Sequence, residues 1–403
     1  MKTTIRLFDS DPYQDIFKAR VLEEKSVGER FAVVLDRTLF YPEAGGQPCD
    51  RGILAGYPVD RVVEEGDTIL HFMERRPEVG EEVEGRIDWV RRFDHMQQHS
   101  GQHILSQSFL RVADAHTKGF HLGTAFSTLD LNKPVAQEEI ERVEDLANRI
   151  VNENRPVIIH GVSQEDVSRF QVRREVAAEG EIRLVEIEGF ECTGCCGTHV
   201  RQTGDIGLIK VLKNERYKGG TRIVFVCGKR ALADYQFKHT LIDDICRSLS
   251  VSERDLREKL GKMGEDHRQV VRELKAAMHE LTALESKQVA ENAVKVGPYH
   301  LIVHCFQDRK MGDILTMLKQ LIREKSIVVL FGIEGGEPAL IFGRSANMDL
   351  DLVPFFNAAI EAIEGRGGGS ASLVQGRGRK AGEVSRILED IRDRIEKTLS
   401  ADI

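Results

Sequence analysis

The chain has 403 residues, of which 30% are charged and 41% hydrophobic, and its formal net charge is −8 at pH 7. This composition is ordinary for a soluble protein of two or three domains. The negative charge argues against a general polyanion binder, although local basic patches can still bind phosphates. No run approaches the roughly 18 apolar residues that a membrane-spanning helix needs, and the first residues lack a signal peptide's apolar stretch. We therefore expect a cytoplasmic protein with no membrane partner.

The first ninety residues (1–90) are predicted to form a β-rich subdomain. Residues 30–36 are strand-like, because aliphatic and aromatic side chains dominate them. Gly45 and Gly46, and later Gly52 after Arg51, mark tight turns between strands.

The apolar period becomes helical between residues 92 and 110. This segment contains His99 and His103, and two histidines four residues apart lie on one helix face, where both rings can reach one metal ion. His95 extends the same series by one turn. The window also fits an amphipathic helix, and in that alternative the histidines are satisfied polar residues at the edge of a core.

A second segment with metal-ligand spacing follows about ninety residues later, in which Cys195 and His199 form C-x-x-x-H. The chain has seven cysteines, and Cys192, Cys195 and Cys196 fall within five residues. An odd number and such clustering favour metal ligation in a reducing compartment over a disulfide framework.

The two segments together supply three imidazoles and one thiolate, a ligand set that suits tetrahedral Zn²⁺. We predict a zinc site made of His99, His103, Cys195 and His199. The other nearby donors are further candidates for about four places, namely His95, Cys192 and Cys196.

Residues 91–235 are predicted to form an α+β domain. A helix at 134–154 precedes strand-like runs at 157–159, 182–185 and 206–211. Basic side chains then dominate residues 210–230, against Glu215 alone. They can contact phosphates or form a solvated strand face. These residues are Lys210, Lys213, Arg216, Lys218, Arg222, Lys229 and Arg230.

Residues 236–297 are predicted to form a long, coiled-coil-like helix. Nine positions repeat at alternating spacings of four and three, as in an a/d heptad seam. Such a helix either pairs with a second copy or folds back on its own chain, so a homodimer through this helix or through the following domain is one expectation. The nine residues are Leu256, Leu260, Met263, His267, Val270, Leu274, Ala277, Leu281 and Leu284.

Residues 298–403 read as an α/β domain, with strands at 301–303, 326–331 and 338–342 and a helix at 314–323. A glycine loop is predicted at 365–380, with Arg366, Arg377 and Arg379 beside the glycines. Such a loop can present backbone N–H groups and positive charge to a phosphate. The alternative is a flexible surface loop.

The motifs resemble those of the editing domain of alanyl-tRNA synthetases, and more closely those of the free-standing AlaX trans-editing proteins. The resemblance rests on residues 38–52 (TLFYPEAGGQPCDRG), on the H-x-x-x-H at 99–103 and on Cys195-x-Gly197-Thr198-His199-Val200. It covers residues 1–235. The long helix and glycine-rich end resemble the DHH-associated carboxy-terminal region of the long AlaX class. Cys196 departs from the family pattern, which has glycine there.

The resemblance implies an α+β protein with an amino-terminal β-rich subdomain, a zinc editing core, a long heptad helix and a carboxy-terminal α/β domain. Its implied activity is zinc-dependent removal of serine from mischarged tRNA(Ala), with glycine as a second candidate substrate, and without aminoacylation activity. An aminoacyl ester is already activated, so hydrolysis needs a placed water and a stabilised oxyanion.

The resemblance also implies roles for individual residues. Thr38 would read the serine hydroxyl, although a β-branched strand residue is the alternative. Gln47 would contact the substrate through its amide group. His121 would form a wall of the substrate pocket or relay a proton. Gly45, Gly46 and Gly119 would let the backbone approach the substrate closely. Our candidates for tRNA phosphate contacts are Lys210, Lys213, Arg216, Lys218, Arg222, Arg366, Arg377 and Arg379.

Two other functions fit the same motifs. The editing domain of threonyl-tRNA synthetase shares the H-x-x-x-H and C-x-x-x-H motifs, so mischarged Ser-tRNA(Thr) is an alternative substrate. Four ligands closed around zinc also describe a structural site, so a non-catalytic RNA-binding protein is the alternative of a different class.

Overall fold

The structure is a computed structural model that describes residues 3–27, 30–75, 77–173, 182–380 and 382–401. The chain divides into two compact units, residues 1–250 and 251–403. Both units combine helices with sheets, which confirms the predicted α+β class. The finer division at residues 90, 235 and 297 stays a prediction.

In the first unit, strands dominate the described residues before the first long helix and alternate with helices after it. The α-helices described there are α1 (Leu7–Ser10), α2 (Trp89–Ala113), α3 (Gln137–Asn152) and α4 (Lys229–Leu249). The strands are β1 (Ile5–Arg6), β2 (Ile16–Val27), β3 (Arg30–Leu35), β4 (Arg37–Thr38), β5 (Gly52–Leu54), β6 (Tyr57–Val59), β7 (Arg61–Glu65), β8 (Thr68–Met73), β9 (Glu82–Ile87), β10 (Thr117–Leu122), β11 (Ser127–Leu131), β12 (Val157–Val162), β13 (Ile182–Ile187), β14 (Glu191–Gly194), β15 (Ile209–Tyr217) and β16 (Gly220–Cys227).

Seven of the early strands form one antiparallel sheet in the order β6-β5-β9-β2-β3-β8-β7. The strand predicted at residues 30–36 is β3. Its Val33 and Leu35 are fully buried in the core of this sheet, as alternation along a strand requires. The loop from residue 39 to 51 follows β4, which pairs with β1 in a separate sheet, and carries the glycine motif before β5 joins the seven-stranded sheet.

Helix α2 is the element on which the histidines lie. The Asp88 side chain accepts a hydrogen bond from the Arg91 N–H and so caps its first turn, and Asp114 ends it in the left-handed conformation. Most of its side chains are buried, because it lies against α3 and against the sheet β10-β11-β16-β15. Gly101 permits this packing, since a Cβ there would lie 2.3 Å from Sγ of Cys227.

One buried ion pair joins α2 to the glycine-motif loop. Neither Arg92 nor Asp50 has an exposed side chain, and the guanidinium also donates to the carbonyls of Pro12 and Leu39. The Asp50 carboxylate in turn accepts the Tyr41 N–H at 2.8 Å. Removing either charge would leave the other buried without a partner, which typically costs about 3–5 kcal/mol. This pair therefore fixes residues 39–50 relative to the histidines.

The helices described in the second unit are α5 (Leu256–Glu291), α6 (Met311–Leu321), α7 (Val353–Ala362) and α8 (Val384–Ala401). The strands are β17 (Val294–Val296), β18 (Tyr299–Gln307), β19 (Ile327–Glu334), β20 (Ala339–Arg344), β21 (Arg366–Ser370) and β22 (Leu373–Arg377). They form one mixed sheet in the order β17-β18-β19-β20-β22-β21. Strands β18 and β19 are parallel and α6 connects them, as a βαβ unit requires.

The helical segment predicted at 236–297 is interrupted between Leu249 and Leu256. Ser250 lies there in the left-handed conformation, and the heptad residues belong to α5, which ends at Glu291. Several seam residues of α5 are exposed, including Leu260, Val270 and Leu274. Among the described helices, none combines the length and apolarity that would let it cross a membrane.

The glycine loop predicted at 365–380 is wrong for most of its length, because β21 and β22 form an antiparallel hairpin there. A Cβ on Gly367 would lie 2.4 Å from the Cα of Gly376, so the glycines allow two strands to approach closely. Because β21 is the edge strand of the sheet, pairing with β22 uses every second backbone N–H group, so the hairpin does not present a continuous row of N–H groups that could cradle a phosphate.

Candidate metal centre

Four side chains predicted as metal ligands converge in the first unit. His99 and His103 lie one turn apart on α2, and Cys195 and His199 lie in the loop that follows β14. One ligand atom from each lies within 4.8 Å of the others. The Cys195 Sγ is 3.4 Å from Nε2 of His99 and 3.3 Å from Nε2 of His199. The two segments, about ninety residues apart, therefore meet in one group.

Each histidine has a polar partner on its other ring nitrogen. The Nδ1 of His99 lies 2.8 Å from Oε1 of Gln47, and that of His199 lies 3.1 Å from Oγ of Ser100. The Nδ1 of His103 lies 3.2 Å from Oε2 of Glu191. These contacts leave Nε2 of each ring for the shared group, which is the arrangement that orients histidines around a metal.

The electrostatics of the group favour a thiolate. Burial raises the pKa of Cys195, but the neighbouring His99, His199 and His103 lower it more, to well below its usual range. Burial lowers the pKa of His199 to about 3, so this imidazole is neutral. For His103, burial lowers the pKa, and the Glu191 carboxylate with Cys195 outweighs this and raises it to about 9.

The residues fit a zinc ion. Tetrahedral zinc with bonds of about 2.0–2.3 Å places neighbouring ligand atoms about 3.3–3.8 Å apart, and the two sulfur–nitrogen distances of 3.4 and 3.3 Å agree with this. The inward-facing nitrogens of His99 and His199 already contact Cys195 Sγ, and an ion between them would bind the donor atoms of all four side chains at once. The group can therefore hold a metal ion.

The further candidate ligands lie outside this group within the described residues. Cys192 packs in a small apolar cluster with Val167 and Leu184. Cys196 is exposed. His95 is buried, and its pKa is lowered to about 3, first by burial and then by nearby arginines, so it is neutral.

Gln47 joins the glycine-motif loop to the metal centre. Its amide oxygen faces His99 and accepts the Thr198 N–H at 3.2 Å, while its amide nitrogen donates to Oγ1 of Thr198 at 2.9 Å. The side chain is buried. The structure therefore gives Gln47 a positioning role, and its predicted contact with substrate stays a prediction.

Thr38 is fully buried, and its hydroxyl is bonded to His71. The Nδ1 of His71 lies 3.0 Å from the carbonyl oxygen of Val33, so Nδ1 carries the proton of the neutral ring. Burial lowers the pKa of His71 to about 4, which keeps it neutral. Nε2 must then accept the Thr38 O–H, 2.8 Å away, and the same hydroxyl accepts the Phe40 N–H at 3.1 Å. One acceptor position of the hydroxyl remains.

The glycine motif and β10 form the surroundings of His99. Gly45 and Gly46 both have positive φ and are exposed, and the Gly46 carbonyl accepts the Leu122 N–H at 3.1 Å. A Cβ on Gly46 would lie 3.1 Å from the ring of Phe120, which itself lies 5.4 Å from the His99 ring. Phe120 therefore lies between Gly46 and the His99 ring and lines this side of the metal centre, a role that no motif in the sequence indicated.

The two other predicted residues on β10 are less closely involved. Gly119 is partly buried, and a Cβ there would meet open space. His121 is exposed, and because successive side chains alternate it lies on the opposite face of β10 from Phe120. The structure therefore does not bring His121 to the face that contacts His99, and its proposed role stays a prediction.

Several basic residues predicted to contact tRNA have acidic partners. Lys210 pairs with Glu144, Lys213 with Glu215, Arg222 with Asp130 and Arg377 with Glu337. The Arg222 guanidinium also lies 3.6 Å from the Tyr217 ring centroid. Within the described residues, no ion pair is found for Arg216, Lys218, Arg366 or Arg379, all of which are exposed. Arg366 lies directly across the hairpin from Arg377.

Sequence reasoning missed the partners that hold the histidines. Ser100 and Glu191 contact metal-ligand candidates, and His71 contacts Thr38, but no motif marks them. Of these residues, only Glu191 had a signal in the sequence, because Glu191, Cys195 and His199 are spaced four residues apart. Ser100 and His71 depend on contacts between distant segments, which spacing does not reveal.

Two family models match parts of the chain. One, described as the threonyl and alanyl tRNA synthetase second additional domain, matches residues 182–224, which include Cys195 and His199. Another, described as tRNA synthetases class II (A), matches residues 13–91, from just before β2 to the start of α2. The class that the fold and site define is therefore that of domains related to class II aminoacyl-tRNA synthetases. The expected lack of aminoacylation activity stays a prediction.

Similar proteins cover nearly the whole chain. Alanyl-tRNA editing protein AlaX-L of Pyrococcus horikoshii is 30% identical over 92% of this chain and 94% of its own. Alanyl-tRNA editing protein Aarsd1 of Rattus norvegicus is 30% identical over 91% of this chain and 90% of its own length. Alanine–tRNA ligase of Pyrococcus abyssi is 32% identical over 96% of this chain but 43% of the ligase. The chain belongs to the family of alanyl-tRNA editing proteins, an aminoacyl-tRNA deacylase class, which confirms the resemblance.

Proposed function

We propose that this protein hydrolyses mischarged Ser-tRNA(Ala), and also Gly-tRNA(Ala), in trans at a Zn²⁺ centre, without aminoacylation activity. Membership of the editing family supports the reaction class. The observation that carries the proposal is the convergence of His99, His103, Cys195 and His199 from two distant segments into one group. We expect this reaction to take place in the cytoplasm.

The chain's own residues position the ester and restrict water. A bound zinc would supply positive charge and Lewis acidity beside the ester carbonyl. Of the four ligand residues only Cys195 is more than slightly exposed, so we expect the substrate to approach from its side. Gly45 and Gly46 expose backbone there, and Phe120 closes the side next to His99. His121 and Gly119 lie on the face of β10 opposite Phe120, so from there they would contact the terminal nucleotide rather than the ester beside His99.

Discrimination against alanine requires a polar contact, because alanine is smaller than serine and cannot be excluded by size. The Thr38 hydroxyl donates its hydrogen bond to Nε2 of His71 and has one acceptor position free, so a serine hydroxyl can donate to it. Alanine would leave that position unsatisfied, and sites built on such a contact reject the analogue by roughly 10⁴-fold. Since Thr38 has no exposed surface, the residues that cover it must move to admit the serine side chain.

The tRNA body would contact two sets of basic residues. One set follows β15 and β16: Lys210, Lys213, Arg216, Lys218 and Arg222. The other lies on the β21–β22 hairpin and just after it: Arg366, Arg377 and Arg379. Where an acidic partner is present, phosphate would compete with it, and each phosphate contact makes affinity fall with salt.

The exposed apolar seam of α5 supports a homodimer. Leu274 and Leu284 are exposed by more than 60%, and apolar seams of this spacing pair with a second helix in water. We propose that a second copy covers the seam. Light scattering behind size exclusion would measure the mass, and a monomer at micromolar concentration would contradict the dimer.

Deacylation by the purified full chain tests the function. Ser-, Gly- and Ala-tRNA(Ala), with Ser-tRNA(Thr) as the alternative substrate, are incubated with the zinc-loaded protein, and amino acid release is followed. We expect rapid release from Ser-tRNA(Ala) and little from Ala-tRNA(Ala). Comparable rates for these two would contradict the proposal, and faster release from Ser-tRNA(Thr) would favour threonyl-tRNA editing.

Two variants of neighbouring cysteines provide a matched control. Cys195→Ala removes a proposed ligand, whereas Cys196→Ala removes an exposed thiol at the adjacent position. Only Cys195→Ala should lose both zinc and deacylation. If Cys195→Ala stayed folded, lost zinc and kept full activity, the metal would be structural.

A further inference from the structure

Glu191 is a buried carboxylate that none of the predicted roles uses. Its side chain has no exposed surface. It lies at the start of β14, next to Cys192, whose side chain packs among Val167 and Leu184. Because neighbouring side chains on a strand point to opposite faces, Glu191 points away from that cluster and reaches α2 at His103.

Two cationic or protonatable groups contact the carboxylate. Its Oε2 lies 3.2 Å from Nδ1 of His103, and its Oε1 lies 2.7 Å from Nε of Arg173. Both contacts are ion pairs without the geometry of a hydrogen bond, and within the described part of the chain neither carboxylate oxygen has another hydrogen-bond donor. The carboxylate is therefore held between one arginine and one metal-ligand candidate.

Stability alone does not account for this arrangement. Transferring a carboxylate from water into a protein interior is costly, and a buried ion pair often contributes no more than an apolar pair of similar volume. Because neither carboxylate oxygen has a hydrogen bond within the described residues, the ion pair with Arg173 offsets only part of that cost. The carboxylate also contacts His103, and it can orient that imidazole, which an apolar side chain could not do.

The partners of the three histidines also differ in charge. His99 faces the neutral amide of Gln47 and His199 faces the neutral hydroxyl of Ser100. Only His103 faces a carboxylate. A carboxylate on the outer nitrogen fixes the tautomer and the ring orientation and strengthens the inner nitrogen as a donor.

We propose that Glu191 is a positioning residue of the metal centre, which holds His103 with Nε2 directed at the ion, and that Arg173 holds the carboxylate in place. The inference rests on the zinc centre of the proposed function. It goes beyond that function in assigning metal affinity to a residue outside the ligand set.

Zinc affinity of the full chain, without tRNA, tests the role. Glu191→Gln keeps the shape of the side chain and removes its charge. We expect its zinc dissociation constant, measured by competition with a chromophoric chelator, to rise about 10- to 100-fold. The visible spectrum of the cobalt-substituted variant should also change, since His103 would bind in an altered geometry. At saturating zinc, deacylation should recover most of the wild-type rate, as it would not for a group that contacts substrate.

Glu188→Gln is the matched control, because Glu188 is exposed three residues away on the same hairpin; it should bind zinc like wild type. If Glu191→Gln does not fold, Glu191→Asp, which withdraws the carboxylate by one methylene, takes its place with the same expectation. A zinc affinity within twofold of wild type in the folded variant would overturn the role of Glu191. Failure of the wild-type protein to bind zinc would instead overturn the metal centre itself.

Discussion

The amide oxygen of Gln47 lies 2.8 Å from Nδ1 of His99 and 3.2 Å from the backbone nitrogen of Thr198. One side chain of the glycine-motif loop therefore contacts both segments of the metal centre. Asp50 of the same loop is paired with Arg92 of α2. Side-chain contacts of this loop therefore join it to both the helix and the Cys195–His199 segment.

Gln47→Ala should weaken zinc binding. The variant removes the acceptor that orients His99 and leaves the buried Thr198 N–H without its side-chain partner. We expect the zinc dissociation constant to rise about 10- to 100-fold. Chelator competition measures it, with Gln137→Ala as control, because Gln137 is exposed on α3. Equal affinities for the two variants would remove Gln47 from the metal centre.

Gly197→Ala should displace His99. A Cβ at this position would lie 2.1 Å from Cε1 and 2.3 Å from Nδ1 of that ring, so the imidazole would have to leave its place. We expect at least a tenfold loss of zinc affinity. Gly261→Ala is the control, since a Cβ there meets open space on α5 and alanine favours a helix by about 1 kcal/mol. Normal zinc affinity of Gly197→Ala would show that His99 is not held as the structure has it.

The spacing of the histidines and cysteines predicted the four residues that converge, because periodicity and donor chemistry are local properties. The family resemblance gave Gln47 a contact with substrate, which stays a prediction, and no motif indicated Glu191 or His71, whose contacts join segments far apart in sequence. The sequence also predicted a glycine loop at residues 365–380, where most of the residues form a hairpin. Glycine usually marks loops, and only the close pairing of Gly367 with Gly376 shows why a strand needs glycine here.

Thr38→Val should narrow the ratio of Ser-tRNA(Ala) to Ala-tRNA(Ala) deacylation. The substitution removes the only hydroxyl in the proposed contact. It also leaves Nε2 of His71 and the Phe40 N–H unpaired, at a cost of about 1–3 kcal/mol per buried group. Thr38→Ser keeps the hydroxyl and is the matched control. Rates at saturating zinc are compared for both variants, and an unchanged ratio in Thr38→Val would exclude Thr38 from serine recognition.

Replacing Arg377 and Arg379 together by glutamine should weaken tRNA(Ala) binding while zinc content stays intact. If both contact phosphates, the slope of log affinity against log salt should fall by up to about 2. The control is the double replacement of Arg392 and Arg394, which form ion pairs on α8 of the same unit. Filter binding at several salt concentrations measures the slopes. An unchanged affinity would place the tRNA elsewhere.

His71 should make the first unit less stable in mild acid. Burial lowers its pKa in the folded chain to about 4, whereas an unfolded histidine titrates near about 6.5. The unfolded state therefore binds more protons between these values, so the stabilisation is complete above about pH 6.5 and is lost as pH falls toward 4. Between pH 7 and pH 5 this one residue should lower the free energy of unfolding by about 2 kcal/mol.

Urea unfolding followed by fluorescence of Trp89, the single tryptophan, reports on the first unit. His71→Gln cannot titrate in this range, so its stability should fall less than that of wild type between pH 7 and pH 5. Other buried histidines, such as His95, titrate in both proteins and cancel in the comparison. Parallel losses in the two proteins would mean that the pKa of His71 is not lowered in the folded chain, so that His71 would become protonated between pH 7 and pH 5 and would no longer accept the Thr38 O–H at pH 5.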